Sequence, residues 1–555
     1  MRMATLLLLL AAPSFAGGAD DAKRLLASGD AAGAEKAARK AASANPNDID
    51  AWLVLADALF ALDQPGDAWE ALEPAIEKNP KDPRLSLKLG DAFVRLADRE
   101  KVESGDGTTI INYYLDAERN YGEALKKDPK CAAAVYGMAS TNFESGRTGG
   151  LDKAKELLAQ CLAIDANFAK AHALQGNILY FEGRELTGQK KDTDARQKYA
   201  AAGEKYALAL KLGDDDVTDM VRYGHTLLAQ GQLDQAKAAY LAALRAHPES
   251  DLPIKSGLYH VANRGETKAA WTNPKVKTLL EEAAKEAPKS PFAWSYLGFC
   301  QATAQAWDEA LKSYQKAREL DPKNASYSYQ IGYMHEKLGD ADKAMAAYRD
   351  AIKAAPGYAD PAFRFEGLIG MGGDVERAEK LYEELIALAL DNPDVHNNYA
   401  LRLRDWAEAT RRATDDDPPP DVRRRLKRAG EVYEIAARLA PEVAQIQSDT
   451  GLLFQYYPCN FDAKKAKAYF TRSLELSDYA YRDAFDGLSR LCQQTKDWEA
   501  LADYAERVVG SMERGNQAIA PAGGGAAEPQ PNESPGLKAR AEAALKLAQQ
   551  KLKKS

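Results

Sequence analysis

Between Ser290 and Pro356 the apolar positions of the chain repeat with a period of 34 residues. The first copy carries Trp294, Leu297, Gly298, Ala310, Tyr314, Ala317 and Pro322, and the second Ile331, Gly332, Ala344, Tyr348, Ala351 and Pro356. Within each copy the apolar residues fall three or four apart, which places them on one face of a helix. Each copy therefore predicts two amphipathic helices. Gly298 and Ala310 are small enough to let the two backbones approach, while Trp294, Leu297 and Tyr314 fill the space around that contact. One such pair cannot bury its apolar face alone, so pairs have to stack.

The pattern extends in register on both sides. Toward the N-terminus it runs through Ala34, Ala41 and Pro46, then Trp52, Ala68, Leu72 and Pro80, then Gly90, Ala117, Tyr121 and Pro129. A weaker copy follows at Ala154 and Leu158, then one at Gly176, Ala202 and Tyr206, and a regular one at Gly224, Ala236 and Tyr240. Beyond Pro356 it continues through Ala378 and Tyr382, Ala429 and Tyr433, Ala466 and Phe470, and Ala500 and Tyr504. The seventh copy, Asp251 to Pro288, matches worst, with no Ala/Tyr pair in its second half and Trp271-Thr-Asn-Pro274 interrupting it. Three insertions of roughly 14 to 17 residues, about four helical turns, separate the two helices of the third, fifth and eleventh copies. An insertion of that length keeps the apolar faces in phase, so it predicts lengthened helical hairpins turning near Ser104–Thr109, Thr187–Asp194 and Asp415–Asp421.

The order W-x-x-L-G, then A-x-x-x-Y-x-x-A, then a closing proline at this period resembles the tetratricopeptide repeat family. The resemblance implies an all-α, right-handed superhelical solenoid of about thirteen helix–turn–helix units over residues 17–513. It also implies that first helices line a concave groove for another protein or peptide segment. Aromatics beside the packing positions on those helices include Tyr136, Phe143, Tyr180 and Phe181, and a cluster of Tyr296, Phe299, Tyr329, Tyr333 and Phe363. That cluster is the candidate partner-binding site. Replacing Tyr329 and Tyr333 by Ala is expected to weaken partner capture with little change in melting temperature. The Lys and Asn pair with which some family members grip a C-terminal carboxylate is not evident.

Composition narrows the function. With 45% hydrophobic and 28% charged residues the chain reads as ordered and soluble, and a net charge of −8 without a sustained Lys/Arg face argues against nucleic acid. The one dense basic run, Arg423 to Arg428, reads as a solvated helix face answering Asp415–Asp417. The opening MRMATLLLLLAAPSFA has one arginine, a short apolar run and small residues at Ser14 and Ala16, so residues 1–16 read as a secretory signal. The apolar run is too short to span a membrane and no later stretch approaches that length. The Ala-, Asp- and Lys-rich composition points to a bacterium, which makes the location periplasmic or secreted. Residues 514–536 read as a flexible Gly/Ala/Pro linker, and 537–555 as a final amphipathic helix.

No catalytic or cofactor motif emerges. The six histidines are scattered, without H-x-x-x-H or H-E-x-x-H, and there is no P-loop, G-x-G-x-x-G or G-x-S-x-G. Gly370–Asp374 reads as a plain turn, and Asp214–Asp216 and Asp415–Asp417 as solvated turns without the alternation of a calcium loop. No metal or cofactor is therefore expected. The cysteines number five; antiparallel packing would bring Cys131 near Cys161 and Cys459 near Cys492, making these the candidate disulfides, with Cys300 buried and free. The chain accordingly reads as a non-enzymatic scaffold or adaptor of the cell envelope. The second reading is a helper subunit of an envelope enzyme or of an export or polysaccharide-assembly machine.

Overall fold

Thirteen pairs of antiparallel helices, joined by short turns, make up nearly all of the described chain, and no strand occurs among the described residues. The computed structural model describes residues 18–264, 270–369, 374–410, 418–515 and 534–554. The expected signal segment, residues 370–373 of the glycine turn, the acidic run 415–417 and the linker residues 516–533 lie outside the described residues. The helices form two compact units, one through Ser290 with seven pairs, the other from Pro291 with six pairs and a final helix, Ser534–Leu552. That final helix packs on Trp498–Glu513 and buries Leu537, Ala541 and Ala548 completely.

The glycines of the repeat do a specific job. A Cβ added to Gly332 would lie 2.5 Å from the Tyr348 ring, and one added to Gly298 would lie 3.1 Å from Tyr314. The second-helix ring thus occupies the notch left by the missing side chain of the first helix. Three rings are held by two glycines, one from their own first helix and one from the next: Tyr121 by Gly90 and Gly137, Tyr240 by Gly224 and Gly257, and Phe470 by Gly451 and Gly487. Tyr240, Tyr348 and Phe470 are completely buried. Burial of a ring this size is worth about 1.5–3 kcal/mol, and here the same ring links two successive pairs.

The three insertions are helical. Pro83–Glu103 and Gly107–Lys127 have 21 residues each, and Ala169–Gly188 and Asp192–Lys211 have 20 each, against 13 in an ordinary first helix such as Ile49–Ala61. Pro393–Thr410 and Pro420–Leu439 are lengthened likewise. Seven added residues are close to two turns, so the extra length repeats the core motif. Tyr199 meets Gly183 seven residues before and after Tyr206 and Gly176 do the same. In the other long hairpin of this unit Tyr114, seven residues before Tyr121, is fully buried and donates to Asp98 at 3.2 Å.

The poorly matching seventh unit departs from the pattern in its first helix. A six-residue π-helix, Pro253–Leu258, runs into a four-residue helix, Tyr259–Ala262. Gly257 still reaches the Tyr240 ring, so stacking survives. After Ala262 the Asn263 side chain takes over: its Oδ1 accepts from Ala270 N at 3.1 Å and from Asn273 Nδ2 at 3.1 Å. Asn273 in turn caps the second helix, Pro274–Glu286.

Three sequence expectations need correction. The basic run is not a solvated face: Arg424 and Arg425 pair with Glu379, and Arg428 with Glu383 at 2.8 Å, so the run zips onto the preceding second helix, Val375–Leu388. Asp214–Asp216 is solvated at Asp215 and Asp216 but not at Asp214. Asp216 caps the next helix through Thr218 N and Asp219 N, and Asp214 is 8% exposed. Finally, no disulfide joins any of the five cysteines. Cys161 Sγ instead donates to Ala132 O at 3.4 Å, and burial pushes its thiol up to about 11, so it carries little reactive thiolate at neutral pH. Cys459 and Cys492 belong to different core clusters.

The double clasp predicts opposite signs for two nearby glycines. Gly137→Ala would drive a Cβ to 2.5 Å from a Tyr121 ring that Gly90 stops from retreating, and should cost about 1–3 kcal/mol. Gly122→Ala, inside the neighbouring helix with nothing within 4 Å, should instead stabilise by roughly 0.5–1 kcal/mol. Urea unfolding of both variants checks the pair.

Candidate functional site

In the unit from Pro291, the five singled-out aromatics lie on three successive first helices. Tyr296 and Phe299 are on Pro291–Thr303, Tyr329 and Tyr333 one turn apart on Ala325–Lys337, and Phe363 on Ala359–Ile369. They are not equivalent. Phe363 is 72% exposed and Phe299 41%, whereas Tyr329 is half-buried against Tyr348 and Tyr358, with ring centroids at 5.9 and 5.4 Å. Tyr329 thus belongs partly to the core, and its removal touches stability. Tyr333 is half-buried and lies between two cations, with Arg364 at 5.0 Å and Lys337 at 5.1 Å from its ring.

A polar relay with no signature in local residue spacing connects this face to the core. Tyr348 fills the Gly332 notch with its ring, and its hydroxyl emerges on the first-helix side to donate to Glu336 at 2.8 Å. Glu336 also accepts from Arg364 at 3.1 Å, and Arg364 covers Tyr333. Tyr382 repeats the move with Glu366 at 3.1 Å, which Asn398 also reaches at 3.1 Å. Burial pushes the Glu366 carboxyl above its usual range. Core tyrosines therefore fix the polar side chains that surround the exposed aromatics.

The unit ending at Ser290 shows the same logic in a trough. A cavity of about 560 Å³ is lined by residues of four first helices, among them Phe60, Lys88, Asp91, Arg95 and Tyr136. Tyr121 donates to Asp91 at 2.9 Å from inside its glycine clasp. The aromatics named from sequence continue the face: Tyr136 contacts Phe168, and Phe143 contacts Phe181, which is flanked by Arg222 at 5.5 Å and Arg184 at 6.0 Å. No group of three or more His, Cys, Asp or Glu that could hold a metal occurs among the described residues, and no helix there is long and apolar enough to cross a membrane.

With the geometry established, comparison with known proteins is informative. Tetratricopeptide repeat models match residues 25–99, 223–252, 277–325 and 302–359. These stretches are tetratricopeptide repeats. A TPR repeat-containing protein of Methanocaldococcus jannaschii is 22% identical over 405 residues, covering 62% of this chain and 70% of that one. Superkiller complex protein 3 of Mus musculus is 26% identical over 260 residues, 44% of this chain; the chain spans only 15% of that relative's length. Among solved structures, yeast Tom70 shares 13% identity over 96% of this chain and 95% of its own, with a TM-score of 0.25. The Cut9–Hcn1 hetero-tetramer of the APC/C shares 14% over 95% of each chain, with a TM-score of 0.28. Tetratricopeptide-repeat proteins generally mediate protein–protein interaction, and such scaffolds are typically non-catalytic.

Beside the trough, Asp214 supplies a pH test. Burial first, then the charges of Asp219, Asp216 and Asp215, push its carboxyl up to about 6, and its Oδ2 has no hydrogen-bond partner among the described residues. Ionisation therefore opposes folding above pH 6, and the penalty fades as pH falls toward the unfolded value near 4. Asp214→Asn should stabilise the protein at pH 7.5, by on the order of 1–2 kcal/mol after solvent screening. The gain should shrink steadily below pH 6 in urea titrations.

Proposed function

We propose that the protein is a non-enzymatic scaffold of a bacterial cell envelope, exported to the periplasm, that binds a partner protein or peptide along its first-helix faces. The observation that carries this reading is the placement of Phe363. A large apolar ring that is 72% exposed sits beside Arg364, whose guanidinium is held by Glu336 and covers Tyr333. Exposed aromatics next to ordered polar groups offer contact area at low entropic cost. Export rests on the apolar run Ala4–Ala12 and the small residues Ser14 and Ala16.

Affinity capture from envelope extract tests the reading. Phe363→Ala should lower capture of the partner roughly 10-fold while moving stability by less than about 0.5 kcal/mol. Unchanged capture by this variant and by Phe299→Ala would remove the face as the binding site. N-terminal sequencing of the mature protein should begin near Gly17; an intact Met1 would reject the location.

A further inference from the structure

The break in the seventh unit opens a cavity of about 500 Å³ between the first helices of the fifth, sixth and seventh units. The first helix of this unit is shorter than the ordinary 13 residues, with the π-helix Pro253–Leu258 followed by Tyr259–Ala262. The lining has an unusual composition for a chain with net charge −8. It contains Arg184, Arg264, His225 and His260 with Tyr180 and Tyr199, and no carboxylate among the described residues. Most other arginines in this unit are answered, as Arg147 is by Glu118 at 2.7 Å and Arg222 by Asp219 at 3.5 Å, although Arg95 lies over the Phe60 ring instead. Neither Arg184 nor Arg264 has a carboxylate partner among the described residues; Arg264 donates only to Leu228 O, and Arg184 faces the Phe181 ring.

The floor of the cavity is fixed. His225 Nε2 donates to Ser256 O of the π-helix at 2.7 Å, which leaves Nδ1 to accept from the Tyr180 hydroxyl at 3.3 Å. The Tyr180 ring stacks on this imidazole at 6.1 Å and packs on Tyr199 at 5.8 Å. Burial, and then the nearby positive groups His260, Arg222 and Arg184, lower the His225 pKa, so the ring is neutral and serves as a wall. The cations left to meet a ligand are the two exposed guanidinium groups of Arg184 and Arg264. They stand over flat aromatic walls in a space larger than a free oxyanion requires.

We propose that this cavity binds a run of Asp and Glu side chains on a partner protein. Guanidinium groups match carboxylates in geometry as well as charge, and Tyr180 and Tyr199 offer a surface for the intervening chain. This rests on the scaffold reading above but concerns residues of the other compact unit, so the two can fail separately. Capture that depends on Phe363 without any acidic-peptide binding would defeat only the present proposal.

Fluorescence anisotropy of the full chain with a labelled, C-terminally amidated EEDEED peptide tests it, with QQNQQN as the uncharged counterpart. The acidic peptide should bind, and weaken several-fold as salt rises from about 50 to about 300 mM. Arg184→Glu with Arg264→Glu should reduce affinity by about 10-fold or more, and Arg184→Gln alone should reduce it less, with melting curves unchanged. A matched reversal on exposed lysines far from the cavity in sequence, Lys312→Glu with Lys323→Glu, should leave binding as it was. Equal binding of the uncharged peptide, or equal affinity in the Arg184/Arg264 and control variants, would overturn the proposal. So would inorganic phosphate binding more tightly than the peptide, which would assign the cavity to small anions.

Discussion

The ring seated in a glycine notch is the contact on which the stack depends. A helix pair of 13 and 14 residues, such as Ala325–Lys337 and Ala341–Ala354, has too little apolar surface to be stable alone. The notch lets a large second-helix side chain approach the first-helix backbone directly, and a second glycine, where present, lets the next pair approach the other side of the same ring. Tyr121, Tyr240 and Phe470 each belong to two interfaces at once. Neighbouring pairs then cannot loosen independently, which makes the array cooperative over several units although each contact is local.

The choice of tyrosine over phenylalanine at most of these positions has a consequence at the surface. The ring satisfies the core, and its hydroxyl usually finds a partner when buried, although those of Tyr240 and Tyr433 have none among the described residues. At Tyr121, Tyr206, Tyr348 and Tyr382 that partner is Asp91, Asn177, Glu336 or Glu366, each on a first helix. The polar side chains of the exposed face are thereby anchored by core residues, and through them the cations that flank exposed rings, as Arg364 flanks Tyr333. Preorganisation of a binding face is built into the repeat and does not require a separate set of supporting residues.

The repeat and its lengthened hairpins were legible in the sequence because both are periodic. Small, large and proline positions recur every 34 residues, and an insertion that adds seven residues to each helix keeps Gly183 against Tyr199 as Gly176 is against Tyr206. The candidate aromatics were legible as first-helix residues for the same reason. Their exposure was not, since Tyr329 and Phe363 are both aromatic and both beside packing positions, yet one stacks on Tyr348 and Tyr358 and the other faces outward. Polar pairing was equally hidden. Arg424 meets Glu379 and Arg428 meets Glu383 across 45 residues, a separation set by the lengthened hairpin and carrying no signal in local spacing. Asp214 looks like a loop residue in sequence and becomes buried only because the next helix starts immediately after it.

Regular units leave little room for anything but themselves, because each notch is filled by its own ring. Space for a ligand therefore has to come either from the outward side of first helices or from a unit that breaks the rule. The seventh unit does the latter at small cost to stacking. Gly257 keeps the Tyr240 clasp, so the core contact is intact, while the first helix, part of it a π-helix, ends at Ala262 after ten residues instead of thirteen. The Ser256 carbonyl presented by the π-helix then holds His225 as a neutral wall, and Arg264, just past the helix end, is carried to the rim. A π-helix is costlier than a continuous α-helix and commonly marks function. Here the segment that departs from the repeat is also the one that supplies the cavity, its floor and one of its two guanidinium groups.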